Sequence, residues 1–409
     1  MTFIGRECFL SDEHKRGDFI MVTNYTMLCP VVFGAGALGE LGNKVKELGG
    51  KKVFCIYDAG VKNAGLAEKM TKVLDENQIE YEVYEDVKPD PADTIIDQIA
   101  DIARKSGANL VIGLGGGSSL DAAKSVAGLL TNEGLVSEYY AEDQKGFVNA
   151  TAPIILIPTA AGTGSEVTVM AVVTDTKKGV KRTILNHANM AIVDPELTLT
   201  VPEHVTAATG MDALSHAIEA YTCTGTNPLS DTLALEAVTR IVENLGKACE
   251  DGSNLDARTN LCLGSNFAGI SFSAAGVHFG HAAAHELGAR YHIPHGTLCA
   301  IMLPEVIEFS ADVLPERIQK IADAMHIDIA EGTTDAEVGK IVADYLRDYV
   351  KKIKVRSLKE CGLTREDAVA CAEGAVTNNW FIILSPKPCD VEKMRELIGK
   401  AYDNYQQEA

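Results

Sequence analysis

Leu110-Val111-Ile112-Gly113-Leu114-Gly115-Gly116-Gly117-Ser118-Ser119-Leu120-Asp121-Ala122-Ala123-Lys124 reads as a buried strand delivered straight into a helix. An unbroken apolar run closed by glycines suits a parallel sheet covered on both faces. Three consecutive glycines let the backbone approach a ligand closely. The helix that follows offers free N–H groups and the positive end of its dipole. The stretch has the makings of a phosphate-binding turn. Its spacing departs from the full G-x-G-x-x-G fingerprint, so taken alone it also fits a plain strand–helix turn.

The flanking segments repeat the pattern. Lys52–Tyr57 ends at Asp58-Ala59-Gly60, Ile154–Ile157 ends at Pro158-Thr159, and Ala191–Val193 ends at Asp194-Pro195. Helical patterns at 62–77 and 93–106 lie between the first strand and the one at 110. Strands alternating with helices predict a parallel sheet whose ligands bind at the carboxyl ends of the strands. A second Gly/Thr-rich turn, Pro158-Thr159-Ala160-Ala161-Gly162-Thr163-Gly164-Ser165-Glu166, also follows a strand. Two such turns suit a dinucleotide better than a mononucleotide. Asp58, at a strand end, is placed to accept hydrogen bonds from a ribose diol, or simply to make a turn.

After Pro202 the strand runs stop. Helical periodicity then covers 204–222, 228–250, 256–290 with a break, 297–309, 314–325, 335–350, 364–376 and 390–405. The expectation is an α/β N-terminal dinucleotide-binding domain with a parallel sheet, residues 1–203, and an all-α C-terminal metal-binding domain, residues 204–409. Residues 1–25 read as an additional N-terminal arm.

The metal expectation rests on the stretch from Gly210 to His295. Asp212 and His216 stand four apart, as do His281 and His285, so on helices each pair shares one face about 6 Å apart along the axis. An isolated Asp-x3-His is usually an ordinary capping or core pair. Here Ala213, Leu214, Ala217, Ile218 and Ala220 make the first helix apolar nearly all round, and the second is equally small and apolar. Buried carboxylates and imidazoles need partners, and a cation between the two helices supplies them. One carboxylate and up to three imidazoles, with no thiolate nearby, suit Fe(II), Zn(II) or Mn(II). Spacing leaves open which of His281, His285 and His295 bind.

The composition, with 46% apolar and 23% charged residues, is that of a globular protein of 409 residues, long enough for two cores. A net charge of −20 argues against a nucleic-acid partner. No signal-peptide pattern or membrane-length apolar run is seen, and the ten scattered cysteines read as small hydrophobes in a cytoplasmic protein.

GGGSSLDAAK, PTAAGTGSEVT, AIVDPELT, TGMDALSHAIEAYT and HAAAHELGARYHIPHG, in that order from about Phe33 onward, resemble the iron-containing, metal-dependent alcohol dehydrogenases. The resemblance implies NAD(P), with the carboxylate at Asp58 favouring NAD, together with one divalent metal, Fe(II) foremost, and a cleft between the domains. It implies a small alcohol or aldehyde as substrate and a homo-oligomer. It also implies metal ligation by Asp212, His216, His281 and His295, and a catalytic His285 beside the substrate. Asp58, Gly116, Gly117, Ser118, Asp121, Thr159 and Thr163 match cofactor-contacting positions.

The sequence departs from that pattern in three places. The segment 181–189 is short, which blurs the assignment of its lysine; Arg290 stands where an uncharged residue is common; and Ser385-Pro386-Lys387 replaces Asn-Pro-Arg. A simple aliphatic aldehyde needs a small apolar pocket, for which Phe272 and Trp380 are candidate walls, whereas Arg290 and Lys387 together suggest an alternative substrate, an acidic short-chain aldehyde. A dehydroquinate-synthase-like lyase has a related layout but needs several basic residues for its anionic substrate. A non-enzymatic NAD- and metal-binding scaffold is the remaining reading.

Overall fold

The computed structural model describes residues 27–405; the N-terminal arm expected at 1–25 lies outside the described residues. Six parallel strands form one sheet in the order β1-β8-β5-β4-β2-β3. They are β1 (Val31–Phe33), β2 (Lys52–Ile56), β3 (Glu80–Tyr84), β4 (Leu110–Gly115), β5 (Ile154–Pro158) and β8 (Met190–Val193). Between β5 and β8 the chain makes an antiparallel hairpin, β6 (Met170–Asp175) and β7 (Val180–Leu185), which stands apart from the sheet.

β4 and β5 are buried along their whole length, which their unbroken apolar runs require. Helices α1 (Leu41–Glu47), α2 (Ala59–Asn63), α3 (Leu66–Glu76), α4 (Asp93–Ser106) and α5 (Gly117–Thr131) connect the strands. The helical pattern expected at 62–77 divides in two at Gly65, whose φ of +72° is the left-handed conformation glycine adopts without strain. From β2 the chain moves outward to β3, then returns to the other side of β2 as β4. That reversal opens a crevice at the carboxyl ends of β2 and β4, where open α/β sheets bind ligands.

From Glu203 onward the described chain is helical: α6 (Glu203–Thr222), α7 (Pro228–Glu250), α8 (Leu255–Ala275), α9 (Phe279–Tyr291), α10 (His295–Ala311), α11 (Pro315–Ala324), α12 (Asp335–Lys352), α13 (Arg365–Val369), α14 (Ala372–Thr377) and α15 (Val391–Asn404). The break expected within 256–290 falls at Gly276–His278. There Gly276, with φ +100°, ends α8 and redirects the chain into α9. α6 is buried over most of its length and is packed by α7, α8 and α10.

The two halves meet where the turn after β5 presses on α6 and α8. The backbones of Gly164 and Gly269 touch: a Cβ on Gly269 would lie 2.9 Å from the Gly164 Cα and 2.9 Å from a Val167 methyl. Beside them the buried Asn266 amide donates to Glu166 (3.1 Å). Gly269→Val forces this seam apart and is expected to cost about 1–3 kcal/mol of stability. A lower urea midpoint or melting temperature is the expected result, and an unchanged one would show that the seam yields freely.

Candidate metal centre and cofactor cleft

Asp212 and His216 project from α6, His281 from α9, and His295 from the first residue of α10. The three imidazoles gather on one carboxylate oxygen. Asp212 Oδ1 lies 4.0 Å from His216 Nδ1, 3.9 Å from His281 Nε2 and 3.5 Å from His295 Nε2. Asp212 Oδ1, His216 Nδ1 and His281 Nε2 are fully buried and make no hydrogen bond within the protein. Three orphaned donor atoms at one point are costly unless a cation satisfies them. The residues therefore fit a divalent metal, and the chemistry of the set fits the metals expected from the sequence.

A second tier holds these groups in place. The buried Glu219 sits one turn beyond His216 on the same face of α6. Its Oε1 lies 2.6 Å from His281 Nδ1, and its Oε2 accepts from the His278 backbone N–H (2.7 Å). The Glu219 carboxylate thus accepts a hydrogen bond from Nδ1–H of His281 and turns the Nε2 lone pair toward Asp212. Burial would raise the Glu219 carboxyl, but His281 and His278 outweigh it and hold it at about 2. Asp212 goes the other way: burial lifts it to about 6 against the pull of His281. Burial and neighbouring imidazoles press His216 and His295 well below the usual histidine range, which keeps them neutral. Phe272 stacks on His216 with ring centroids 4.2 Å apart.

One expectation needs correction. A thiol does lie within this group: buried Cys299, one turn after His295 on α10, joins Asp212, His281 and His295 in a cluster whose donor atoms are all within 4.8 Å. The separation of 87 residues between Asp212 and Cys299 hid it, although His295-x3-Cys299 repeats the four-residue spacing. Glu219 was equally legible as the third member of an i, i+4, i+7 face and was not singled out.

His285 stands beside the cluster, its ring 5.2 Å from that of His295 and edge-on to Phe381 at 5.4 Å. Its Nδ1 pairs with Asn379 Oδ1 (3.2 Å). Burial and the nearby Lys181 ammonium lower it to about 3. Lys181, on β7, pairs with Asp90 (2.7 Å), and its charge also acts on His295 and Asp212. The lysine left ambiguous in the sequence thus lies within electrostatic reach of the centre.

The residues expected to contact a cofactor collect at the crevice. Asp58 caps α2 by accepting from the Val61 N–H (3.0 Å) and also accepts from Ser119 Oγ (3.2 Å), which ties the end of β2 to the glycine turn. Gly116 is open, with no atom within 4 Å of where a Cβ would stand, whereas a Cβ on Gly117 would meet Thr163 at 2.8 Å. The two turns are therefore in contact. Ser118 Oγ accepts from the Asp90 N–H (3.3 Å), and the Thr159 N–H donates to Gly115 (3.0 Å). Asp121 faces inward: its carboxylate accepts from Ser165 Oγ (2.6 Å) and the Val172 N–H (3.0 Å), binding the first turn to the second. Gly162 of the second turn packs against Thr209 of α6, so the cofactor crevice opens on the metal centre.

The residues behind the acidic-aldehyde alternative are not brought to the site. Arg290 is nine residues from His281, about 900° around α9 and hence on the opposite face; it pairs with Glu286 (3.3 Å). Lys387 pairs with Asp312 (2.6 Å) and lies over Phe309. Phe309 is 14 residues, or about 21 Å, along α10 from His295. Trp380, expected as a wall, is 54% exposed; Phe381 takes that place against His285.

A dinucleotide-type crevice opening on a buried carboxylate–imidazole centre fits a metal- and NAD-dependent enzyme. Comparison with known proteins places it. Residues 30–195 match the family model described as iron-containing alcohol dehydrogenase, and residues 206–402 match that of the Fe-containing alcohol dehydrogenase family, C-terminal. The chain belongs to the iron-containing alcohol dehydrogenase family, NAD-dependent enzymes of the alcohol–aldehyde couple. The NAD-dependent methanol dehydrogenase of Bacillus methanolicus is 33% identical over 93% of this chain and 100% of its own length. The crystal structure of a 1,3-propanediol oxidoreductase superposes with a TM-score of 0.88 at 31% identity, covering 93% of this chain and 100% of that one. A sulfoacetaldehyde reductase from Bifidobacterium kashiwanohense, in complex with NAD+, superposes with a TM-score of 0.84 at 28% identity over 93% of this chain and 99% of its own. The lyase and scaffold readings are set aside by this membership. Among the described residues no helix is long and apolar enough to cross a membrane.

Glu219→Gln keeps the size of the side chain and removes the charge that fixes His281. Metal affinity, measured by competition with a chelator, is expected to fall about 10- to 100-fold. Unchanged affinity would show that Glu219 does not orient the ligand.

Proposed function

We propose that this chain interconverts a short, uncharged primary alcohol and its aldehyde. In this reading Asp212, His216, His281 and His295 hold the metal, and His285 relays the proton. Asp58, Gly116, Gly117, Ser118, Thr159 and Thr163 line the NAD site, with Asp121 bracing its two turns. The observation that carries the proposal is the set of orphaned donor atoms around Asp212 Oδ1, at the inner end of the crevice and beside His285. A bound divalent metal would polarise the carbonyl oxygen or ease loss of the alcohol proton, and the nicotinamide would carry the hydride.

The chain's own residues do the rest. Phe272 and Phe381 give the centre apolar walls, which suit an aliphatic substrate and exclude water. His285, neutral and next to the ligand His295, offers a proton acceptor within the cleft. The dinucleotide part is taken as residues 1–203 and the metal-binding part as 204–409. The assembly is taken as a dimer or larger oligomer, as the family resemblance implies. A cytoplasmic location agrees with nine free cysteines among the described residues.

A second reading keeps one observation in its favour. Lys181 brings a cation to the centre, so an acidic aldehyde would be met by Lys181 and not by Arg290 or Lys387.

The test is metal analysis together with NADH oxidation against propanal, succinic semialdehyde and sulfoacetaldehyde. Propanal is expected to show the highest kcat/KM. A preference for the acidic aldehydes that Lys181→Met abolishes would establish the second reading instead. His285→Gln is expected to keep its metal and lose about 100-fold or more in kcat; an emptied metal site would make His285 a ligand.

Asp58 governs cofactor choice in this proposal, its carboxylate accepting from the adenosine ribose and repelling a 2′-phosphate. Asp58→Asn retains an acceptor for the Val61 N–H that caps α2 and removes the charge. The ratio of kcat/KM for NADH over NADPH is expected to start well above one and to fall about tenfold. Equal use of both cofactors by the unmodified enzyme would refute this role.

A further inference from the structure

Asn379 lies in the turn between α14 and the short 3₁₀ segment Trp380–Leu384, and it is buried. Its side-chain amide is committed on both sides. Nδ2 donates to the backbone carbonyl of Ala375 (3.2 Å), at the end of α14, and to that of Ala282 (3.4 Å), in α9. A carbonyl oxygen only accepts, so the amide end facing these two must be the NH₂. Turning the amide over would set its oxygen against two carbonyl oxygens and leave the NH₂ facing a ring nitrogen.

The other end follows from this. Oδ1 faces His285 Nδ1 at 3.2 Å, and an amide oxygen also only accepts. The hydrogen bond exists only if Nδ1 carries the proton. Phe381, set edge-on to the ring, packs beside it.

We infer that Asn379 is a positioning residue that locks His285 as the Nδ1–H tautomer, leaving Nε2 as the nitrogen that exchanges protons with substrate. This rests on the reading of His285 as the proton relay. In alcohol oxidation the hydroxyl O–H bond breaks toward Nε2, which takes the proton, while the carbon-bound hydrogen leaves as hydride to NAD+. The Nδ1–H···O=C bond to Asn379 persists throughout, so the ring keeps its direction as it gains and loses charge. Because the amide is anchored to α9 and α14 together, the orientation of the base depends on the packing of both helices.

The test begins with the unmodified enzyme, loaded with zinc so that it is diamagnetic, and labelled with ¹⁵N at its histidine rings. The His285 signals are those missing from His285→Gln. A protonated Nδ1 and an unprotonated Nε2 are expected, and a protonated Nε2 would overturn the inference without recourse to any further variant. Asn379→Leu removes the acceptor at similar size. It is expected to lose the single-tautomer signature and about 10- to 100-fold in kcat, with KM for NADH and metal content unchanged. If Asn379→Leu does not fold, Asn379→Ser serves, its smaller side chain leaving Nδ1 without the amide acceptor. Retention of both the signature and full kcat in the folded variant would show that Asn379 does not set the tautomer. An intact signature in the unmodified enzyme combined with full kcat in His285→Gln would overturn the relay reading and leave the tautomer assignment standing.

Discussion

The hydrogen bond between Glu219 and His281 is the constraint from which the rest of the centre follows. It joins two buried helices through a carboxylate that would not survive burial without partners, and those partners are the His281 imidazole and the backbone N–H groups of His278 and His281. With the Nδ1 proton of His281 engaged, Nε2 presents its lone pair toward Asp212 and has no hydrogen-bond donor to accept from. The same face of α6 that carries Glu219 carries His216 and Asp212, one and two turns earlier. A single helix thus supplies two donors and the group that orients a third. Folding concentrates unsatisfied polar atoms at one point, a cost that binding of a cation turns into affinity.

The crevice is built on the same economy of contacts. β2, β4 and β5 are neighbours in the sheet, so the turns that end them open side by side. Asp58 reaches Ser119, Gly117 meets Thr163, and Asp121 ties the first turn to Ser165 and β6. Glycine is demanded where backbone meets backbone, above all at Gly164 against Gly269, where the cofactor turn rests on the helical half. Because Gly162 packs on α6 close to His216, the geometry of the crevice and of the metal centre are set by one interface.

Charge distinguishes the catalytic neighbourhood from the surface. His216, His285 and His295 are held neutral by burial and by neighbouring positive groups, His281 for all three and Lys181 for His285 and His295, a state suited to binding a cation or accepting a proton. Lys181, tethered by Asp90, adds a positive charge within electrostatic reach of His285 and His295. By contrast Arg290 and Lys387 spend their charges on Glu286 and Asp312. A chain with a net charge of −20 has many such acids to offer, and proximity in sequence to a ligand did not carry either cation to it.

The sequence by itself determined the elements and the chemistry that local spacing encodes. Buried parallel strands show as unbroken apolar runs, and a long helix shows as periodicity, so β2, β4, β5, β8 and the helices from Glu203 onward were legible. So were Asp212-x3-His216 and His281-x3-His285, because four residues on a helix share a face. The edge strand β3 and the β6–β7 hairpin were not, since strands with water on one side lack that continuous apolar signal. Only the tertiary structure decided which groups from distant segments meet. Cys299 joins Asp212, Glu219 grips His281, Asn379 grips His285, and Phe381 rather than Trp380 faces the site. Each pairing depends on how helices pack and on which face a residue presents there. Spacing along the chain fixes a face within one helix, but not which face of another helix it will meet.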